Sequence, residues 1–352
     1  MSSVHVIVPD GFDDPARPSG GNAYDRRISC GLGAIGWSVH VRVVPGSWPW
    51  PDAAARGALA SVYATIPDGG LVLLDGLIAS TLPEVVVPEA GRLREVVLVH
   101  MPLGEGQPGR ELAEARTKER AVLSAAAAVV TTSTWTRSRL LGRYALPPAQ
   151  VHVAEPGVDA ADLAPGTATG GELLCVAAVA RHKGHDVLLD ALATITELAW
   201  RCTCVGALDR EPGFGDRLAR HYRIGDRVHF AGPRSGADLR ATYAAADVLV
   251  LASRAETYAM VVTEALACGL PVIATSVGGL PQALGRGADG TIPGLLVPPG
   301  DPAALAAALR RWLGDTVLRR RLRAVARERR ATLSDWSATA ARISRILDQV
   351  AA

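Results

Sequence analysis

The sequence predicts an α/β protein of two domains, and three observations carry that expectation. Short β-branched runs, such as VHVIVP from Val4 and PVIAT from Pro271, read as strands. Segments of helical length separate them, the alternation expected of parallel sheets. A chain of 352 residues has material for two cores, and the small Pro/Gly-rich stretch ADLAPGTATGG, Ala161 to Gly171, reads as a linker. The boundaries expected are 1–160 for a first domain, 161–335 for a second, and 336–352 for a terminal helix.

Composition excludes several function classes. Hydrophobic residues make up 49% and charged residues 20% of the chain, as in ordinary globular proteins. A net charge of +2 does not suggest nucleic acid as a bulk partner. Residues 1–160 hold 14 Lys/Arg against 16 Asp/Glu, or −2; the remainder holds 23 against 19, or +4. The first domain is therefore not a basic membrane-docking face. No apolar run approaches the ~20 residues needed to span a bilayer, and no signal-peptide pattern opens the chain. The five cysteines are odd in number and scattered, without a CxxC, which favours free thiols and a cytoplasmic location. The Arg-rich segment from Leu318 to Arg330 is amphipathic and reads as a solvated helix rather than a nucleic-acid patch.

The first strand, Val4 to Pro9, leads into an Asp/Pro/Gly-rich loop and then Gly20-Gly21. Asn22 can cap a helix from Ala23, with Asp25 at its third position in a capping-box-like pair. Strand, glycine loop and helix N-terminus together suit an anion or a closely approaching sugar, although most Gly-Gly pairs are only turns. WSVHVRVVP is the second strand. Trp48 and Trp50 follow it, placed either to stack on a ligand or to pack under their own loop. LVLLDGL and VVLVH are the third and fourth strands. His100 ends the fourth, where neutral imidazole could exchange a hydrogen bond or a proton with a ligand hydroxyl. An amphipathic helix, ELAEARTKERAVLSAA, and the strand AVVTTS complete this half.

The second half opens with the strand ELLCVAAVA, the turn Arg181-His182-Lys183-Gly184 and the helix HDVLLDALATI. Cations at a strand-to-helix turn suit a diphosphate. TCVGAL, RVHFAG and VLVLAS are further strands, and RLARHYRI and DLRATYAAAD helices. VVTEALAC is apolar nearly all round, stopped by Gly269 and Pro271. Its one charge, Glu264, either sits on a rim or accepts hydrogen bonds from a polyol. Glu256, eight residues earlier, either caps or faces the same cleft. Gly278 and Gly279 permit a close backbone approach. Asp301 before Pro302 signals the start of another helix.

Glu256-x7-Glu264, followed by ALACGLPVIAT and SVGGLPQAL, resembles the donor-site signature of retaining, nucleotide-sugar-dependent glycosyltransferases of the GT-B fold, the family 4 or glycosyl transferases group 1 type. The likeness covers most of the chain and is strongest from about Glu172 to Asp301. It implies two Rossmann-like β/α/β domains facing each other across a cleft, the first for an acceptor and the second for a UDP-, GDP- or ADP-sugar. The terminal helix would cross back to the first domain. The resemblance further implies that Gly20 and Gly21 lie near the donor phosphates and that His100 faces the transferred sugar. Lys183 would bind the diphosphate; Arg181, in a different register from the family arginine, could supply a guanidinium there. Phe230, Gly232 and Arg234 would cradle the nucleobase, Glu256 would contact sugar hydroxyls, and Glu264 would bind ribose. Backbone groups of Met260, Val261 and Val262 would complete the donor site. His100, Glu256 and Lys183 are the expected catalytic residues of a hexosyltransferase-type enzyme that works by front-face attack. No Asp-x-Asp occurs, so an obligatory metal is not expected.

Two departures stand out. The family arginine five residues before Lys183 falls on Ala178, and Ala259 stands where glycine is usual. The acidic balance of the first domain favours a small soluble acceptor over a lipid. A nucleotide-sugar 2-epimerase, a phosphorylase and a non-catalytic nucleotide-sugar-binding protein are the alternatives.

Overall fold

The computed structural model describes residues 2–14, 19–103, 110–211, 213–221 and 225–352. They form two compact units. One comprises the residues up to Asp14, Ser19–Gly157 and Asp335–Ala352; the other is built on Val158–Ser334.

In the first unit β1 (Ser3–Pro9), α1 (Gly20–Ala34), β2 (Ser38–Val44), α2 (Ala53–Ala64) and β3 (Leu71–Asp75) follow in order. The short helices α3 (Gly76–Ala79) and α4 (Pro83–Glu89) lead to β4 (Arg94–Val99), α5 (Arg110–Ala125), β5 (Ala128–Thr131), α6 (Thr134–Tyr144) and β6 (Val151–Val153). The six strands form a parallel sheet in the order β2-β1-β3-β4-β5-β6. Strands buried on both faces are apolar throughout. Val4, Val6 and Val8 of β1, with Leu71 and Leu73 of β3, point to one face. Ile7, Val72 and Leu74 point to the other.

In the second unit β7 (Glu172–Val176), α7 (His185–Ala193), β8 (Arg201–Val205), α8 (Phe214–His221) and β9 (Val228–Phe230) come first. Then come α9 (Gly236–Ala244), β10 (Val248–Leu251), α10 (Met260–Ala267), β11 (Val272–Thr275), α11 (Leu280–Leu284) and β12 (Gly294–Val297). The helices α12 (Pro302–Gly314) and α13 (Thr316–Arg330) complete it, while α14 (Trp336–Ala351) packs against α1 in the first unit. The sheet is again parallel, ordered β12-β11-β10-β7-β8-β9. Chain order reverses between β7 and β10, which opens a ligand crevice at their carboxyl ends.

Local chemistry corrects three expectations. The helix after β1 starts at Gly20, not Ala23. Ser19 caps it, accepting from the Asn22 amide at 3.1 Å, while Asn22 Nδ2 donates to the Gly11 carbonyl. Asp25 is consequently not a capping residue. The Arg-rich helix α13 is not simply a solvated face. Arg319 is buried and donates to the carbonyls of Trp312 and Leu313, Arg330 to that of Ala161, and Arg323 pairs with the fully buried Asp247. The helix RLARHYRI is described only to His221; positions 222–224, like 15–18 of the first loop, lie outside the described residues. At Asp301 the carboxylate caps α12, accepting from Ala304 N at 2.8 Å.

Candidate active site

The carboxyl end of the second sheet brings Lys183 and Glu256 together. Lys183 ends the 3-10 turn that follows β7, and Glu256 lies in the loop after β10, so the switch point makes them neighbours. Lys183 Nζ donates to Glu256 Oε1 at 2.8 Å, and Ser253 Oγ donates to the same oxygen at 2.8 Å. The Glu256 side chain is only 8% exposed.

Two glycines make this approach possible. Gly184 has φ +68°, and a Cβ there would lie 2.0 Å from the Ala252 carbonyl oxygen. Gly278 has φ +55°, and its Cβ would lie 1.6 Å from the Glu256 carbonyl oxygen. That oxygen accepts from Gly279 N at 3.1 Å. The glycine pair read from the sequence as permitting a close approach thus fixes the backbone of Glu256 itself.

Glu264 sits in the second turn of α10, where Tyr243 Oη donates to its Oε2 at 2.7 Å. Burial, then the Glu264 charge, hold the tyrosine hydroxyl protonated far above its ordinary range. No side chain caps α10. Val262 N already donates to Ala259 O at 2.9 Å, and the Val262 side chain is fully buried. Of the three residues expected here, Val262 therefore has its first-turn amide already engaged within the chain.

Arg181 turns elsewhere. Its side chain is 68% exposed, with Nε 3.4 Å from Glu211 Oε2 and the guanidinium over the Phe214 ring. Phe230 closes β9 and packs partly against the core, and the Gly232 carbonyl accepts from Gly206 N at 2.9 Å. Arg234 Nη1 donates to Thr242 Oγ1 at 2.7 Å.

The first unit carries a separate cluster at the carboxyl end of its own sheet. His100 follows β4, Asp75 ends β3, and Asp25 projects from α1. His100 Nε2 lies 2.8 Å from Asp25 Oδ1 and 3.7 Å from Asp75 Oδ2. Tyr24 meets the imidazole edge-on at 5.2 Å between centroids. A Cβ on Gly21 would stand 3.2 Å from His100 Cδ2, so Gly21 makes room for the ring. Gly20 and Gly21 are the first two residues of α1.

Burial pulls the His100 pKa down, but the Asp25 charge and hydrogen bond, helped by Asp75, outweigh it and raise the value to about 9. The imidazole expected to be neutral is thus an imidazolium at neutral pH. Burial, then the Asp25 charge, raise Asp75 to about 7 against the opposing pull of His100. The three ligand atoms lie within 4.8 Å of one another, close enough for a divalent cation as well as for shared protons.

Sequence reasoning missed Asp25 and Asp75 as site residues, yet both leave a signal. Asp25, Ile28, Ser29 and Leu32 form the buried i, i+3, i+4, i+7 stripe of α1, so a carboxylate interrupts a core face. Asp75 ends a strand that is buried at every position. Of the two indoles, Trp48 packs under its own loop and donates to the Val44 carbonyl, whereas Trp50 is 79% exposed.

Comparison with known proteins places the chain. Residues 170–315 match the sequence profile of glycosyl transferases group 1. D-inositol 3-phosphate glycosyltransferase 1 of Catenulispora acidiphila is 32% identical over 272 residues, covering 71% of this chain and 64% of that protein. The D-inositol 3-phosphate glycosyltransferase of Kineococcus radiotolerans is 36% identical over 250 residues, covering 63% and 57%. The chain thus spans less than two thirds of the length of these relatives. Sucrose-phosphate synthase from Thermosynechococcus elongatus superposes with a TM-score of 0.79 at 25% identity over 99% of both chains. The Anabaena protein HepE, solved in complex with UDP-glucose, gives 0.78 at 19% identity over 99% of this chain and 100% of that one. Residues 170–315 thus carry the profile of glycosyl transferases group 1, and the chain has the GT-B fold.

Proposed function

We propose that the chain is a glycosyltransferase that moves a sugar from a nucleotide diphosphate sugar to a small-molecule acceptor. The Lys183–Glu256 pair at the switch point of the second sheet carries this reading. Breaking the anomeric C–O bond leaves a nucleoside diphosphate, whose growing negative charge needs a fixed cation and backbone amides. Lys183 supplies the cation, and the uncapped start of α10 supplies the amides. Glu256 meets the sugar hydroxyls, and Glu264, held by Tyr243, meets the ribose. His100 serves the sugar and acceptor side.

Retention of the anomeric configuration by front-face attack, without an obligatory metal, is part of the proposal and rests on the family signature. The nucleotide sugar is supported by the UDP-glucose complex of HepE, and a small acceptor by the names of the inositol-phosphate relatives. Five unpaired thiols support a reducing, cytoplasmic location. Among the described residues no helix is long and apolar enough to cross a membrane.

The test is a thermal-shift panel of UDP, GDP, ADP and their sugars, with and without Mg²⁺, followed by Glu256→Ala. Stabilisation by one nucleotide, loss of transfer in the variant and retained nucleotide binding are expected. Transfer that survives Glu256→Ala would remove Glu256 from its role, and no shift with any nucleotide would overturn the donor site.

A further inference from the structure

We propose that Asp25 and Asp75 are positioning residues that pin Nε2–H of His100 and so leave Nδ1 as the one imidazole nitrogen for a ligand. The inference rests on the preceding reading that His100 serves the sugar and acceptor side, and it adds two residues that the family signature in the second half does not contain.

Three observations converge. The geometry is specific: Nε2 is 2.8 Å from Asp25 Oδ1, a charge-assisted distance, and 3.7 Å from Asp75 Oδ2. The carboxylates are enclosed, with side chains 2% and 5% exposed, while the imidazole keeps 18%. Asp75 is itself fixed, its Oδ1 accepting from Leu77 N at 2.6 Å. Asp25 Oδ2 is buried, and among the described residues no group donates a geometrically good hydrogen bond to it. A carboxyl proton on Asp75 directed at that oxygen would satisfy it, consistent with the Asp75 pKa raised by burial and by the Asp25 charge. Among the described residues, the charged and aromatic groups that face the ring are Asp25 from α1, Asp75 from β3 and Tyr24.

The packing around the ring agrees. A Cβ at position 21 would lie 3.2 Å from Cδ2, so the glycine lets the ring lie against the start of α1, within reach of Asp25. Tyr24, which closes another side, is anchored by its hydroxyl, which donates to the Ala154 carbonyl at 2.8 Å.

The chemical consequence is directional. An imidazolium pinned through Nε2 presents Nδ1–H as a donor, not a lone pair. It can steady an oxygen on which negative charge grows, and it cannot take the acceptor proton as a base until it loses its own.

Histidine-labelled protein titrated by NMR from pH 5.5 to 10 tests this, with His100→Gln assigning the signal. A His100 resonance that stays protonated to about pH 9, and at least 100-fold weaker proton affinity in Asp25→Asn, are expected. Asp75→Asn should keep the Asp25 contact and change the titration by less than Asp25→Asn does. In transfer assays, Asp25→Asn should lower kcat at least tenfold while the Kd for the stabilising nucleotide stays unchanged. A His100 that is neutral at pH 7 in the wild-type chain would overturn the proposal, as would a stoichiometric divalent metal in the purified protein. The wild-type titration decides the matter even if Asp25→Asn fails to fold. It is independent of whether any nucleotide binds, so failure of the donor reading and failure of the pinning are told apart.

Discussion

Ala259 precedes α10 with φ +69°, a left-handed conformation that costs an L-residue roughly 1–2 kcal/mol. Ala259→Gly relieves that cost at the expense of backbone entropy. The expected net gain is about 1 kcal/mol or less, read from urea unfolding, with a broader choice of donor sugars. Gly278 makes the opposite case. Its φ is also positive, but a Cβ there meets the Glu256 carbonyl oxygen at 1.6 Å. Gly278→Ala is therefore expected to displace Glu256 and cut transfer by about 100-fold or more, since misplacement by about 1 Å is costly in catalysis. Gly290→Ala is the control, because φ is +80° but no atom of the described residues lies within 4 Å of the added carbon. It should cost about 1 kcal/mol of stability and spare turnover. The Asp25–Asp75–His100 cluster predicts a pH dependence. His100 rises from 6.5 to about 9 and Asp75 from 3.8 to about 7, so the folded state binds more protons than the unfolded. The His100 contribution is complete below pH 6.5 and lost as pH rises through 9. The Asp75 contribution is complete below 3.8 and lost as pH rises through 7. Melting temperature should therefore fall from pH 5 to pH 9, and His100→Gln should flatten the upper part of that decline.

At the level of elements, Asp247 ties the second unit together from the start of β10. Fully buried, it accepts from Thr167 N and Oγ1 at 2.6 Å each and from Glu172 N at 3.0 Å, and it pairs with Arg323 of α13. One carboxylate thereby joins β10, the approach to β7 and α13. Asp247→Ala would leave the half-buried Arg323 guanidinium and three further donors without their acceptor, and a loss of about 1–3 kcal/mol is expected in denaturant unfolding. Nothing in sequence spacing marked that residue, because its partners lie 75 to 80 positions away. The strands were legible for the opposite reason. Burial on both faces of a parallel sheet makes LVLLD, VLVL and VIAT continuous apolar runs with no competing helical period. Lys183 and Glu256 were legible as separate residues, but their contact depends on strand order, which local pattern does not encode. Asp25 was obscured by a three-residue error in the start of α1, since that start decides which side chains share the buried stripe. The α3 and α4 segments were missed because four and seven residues are too few for a helical period to show.

At the level of the molecule, each hydrophobic cluster belongs to one unit. The cluster around Trp312 and Leu249 draws only on the second. Those around Tyr63 and Tyr24 draw only on the first. The two ends of the segment Val158–Ser334 meet, where Val158 N donates to the Ser334 carbonyl at 3.0 Å. Gly157 abuts the start of α14 so closely that a Cβ on it would lie 2.4 Å from the Asp335 carbonyl carbon. A fragment of residues 158–334 therefore has adjoining ends, a complete six-stranded sheet and its own core. It is expected to fold cooperatively without the rest of the chain, with one thermal transition and no dye binding typical of loosely packed states. The complementary protein, with Gly157 joined by a short linker to Asp335, should fold around the β1–β6 sheet with α14 against α1. If Lys183, Glu264 and the start of α10 hold the nucleotide, the fragment should keep the nucleotide affinity of the intact chain. A nucleoside diphosphate at 100 times its Kd should then stabilise it by about 2.7 kcal/mol and leave the complement unmoved. A fragment that folds but does not bind would show that the donor site needs residues from the first unit, and a fragment that melts without cooperativity would show that the two cores are not independent.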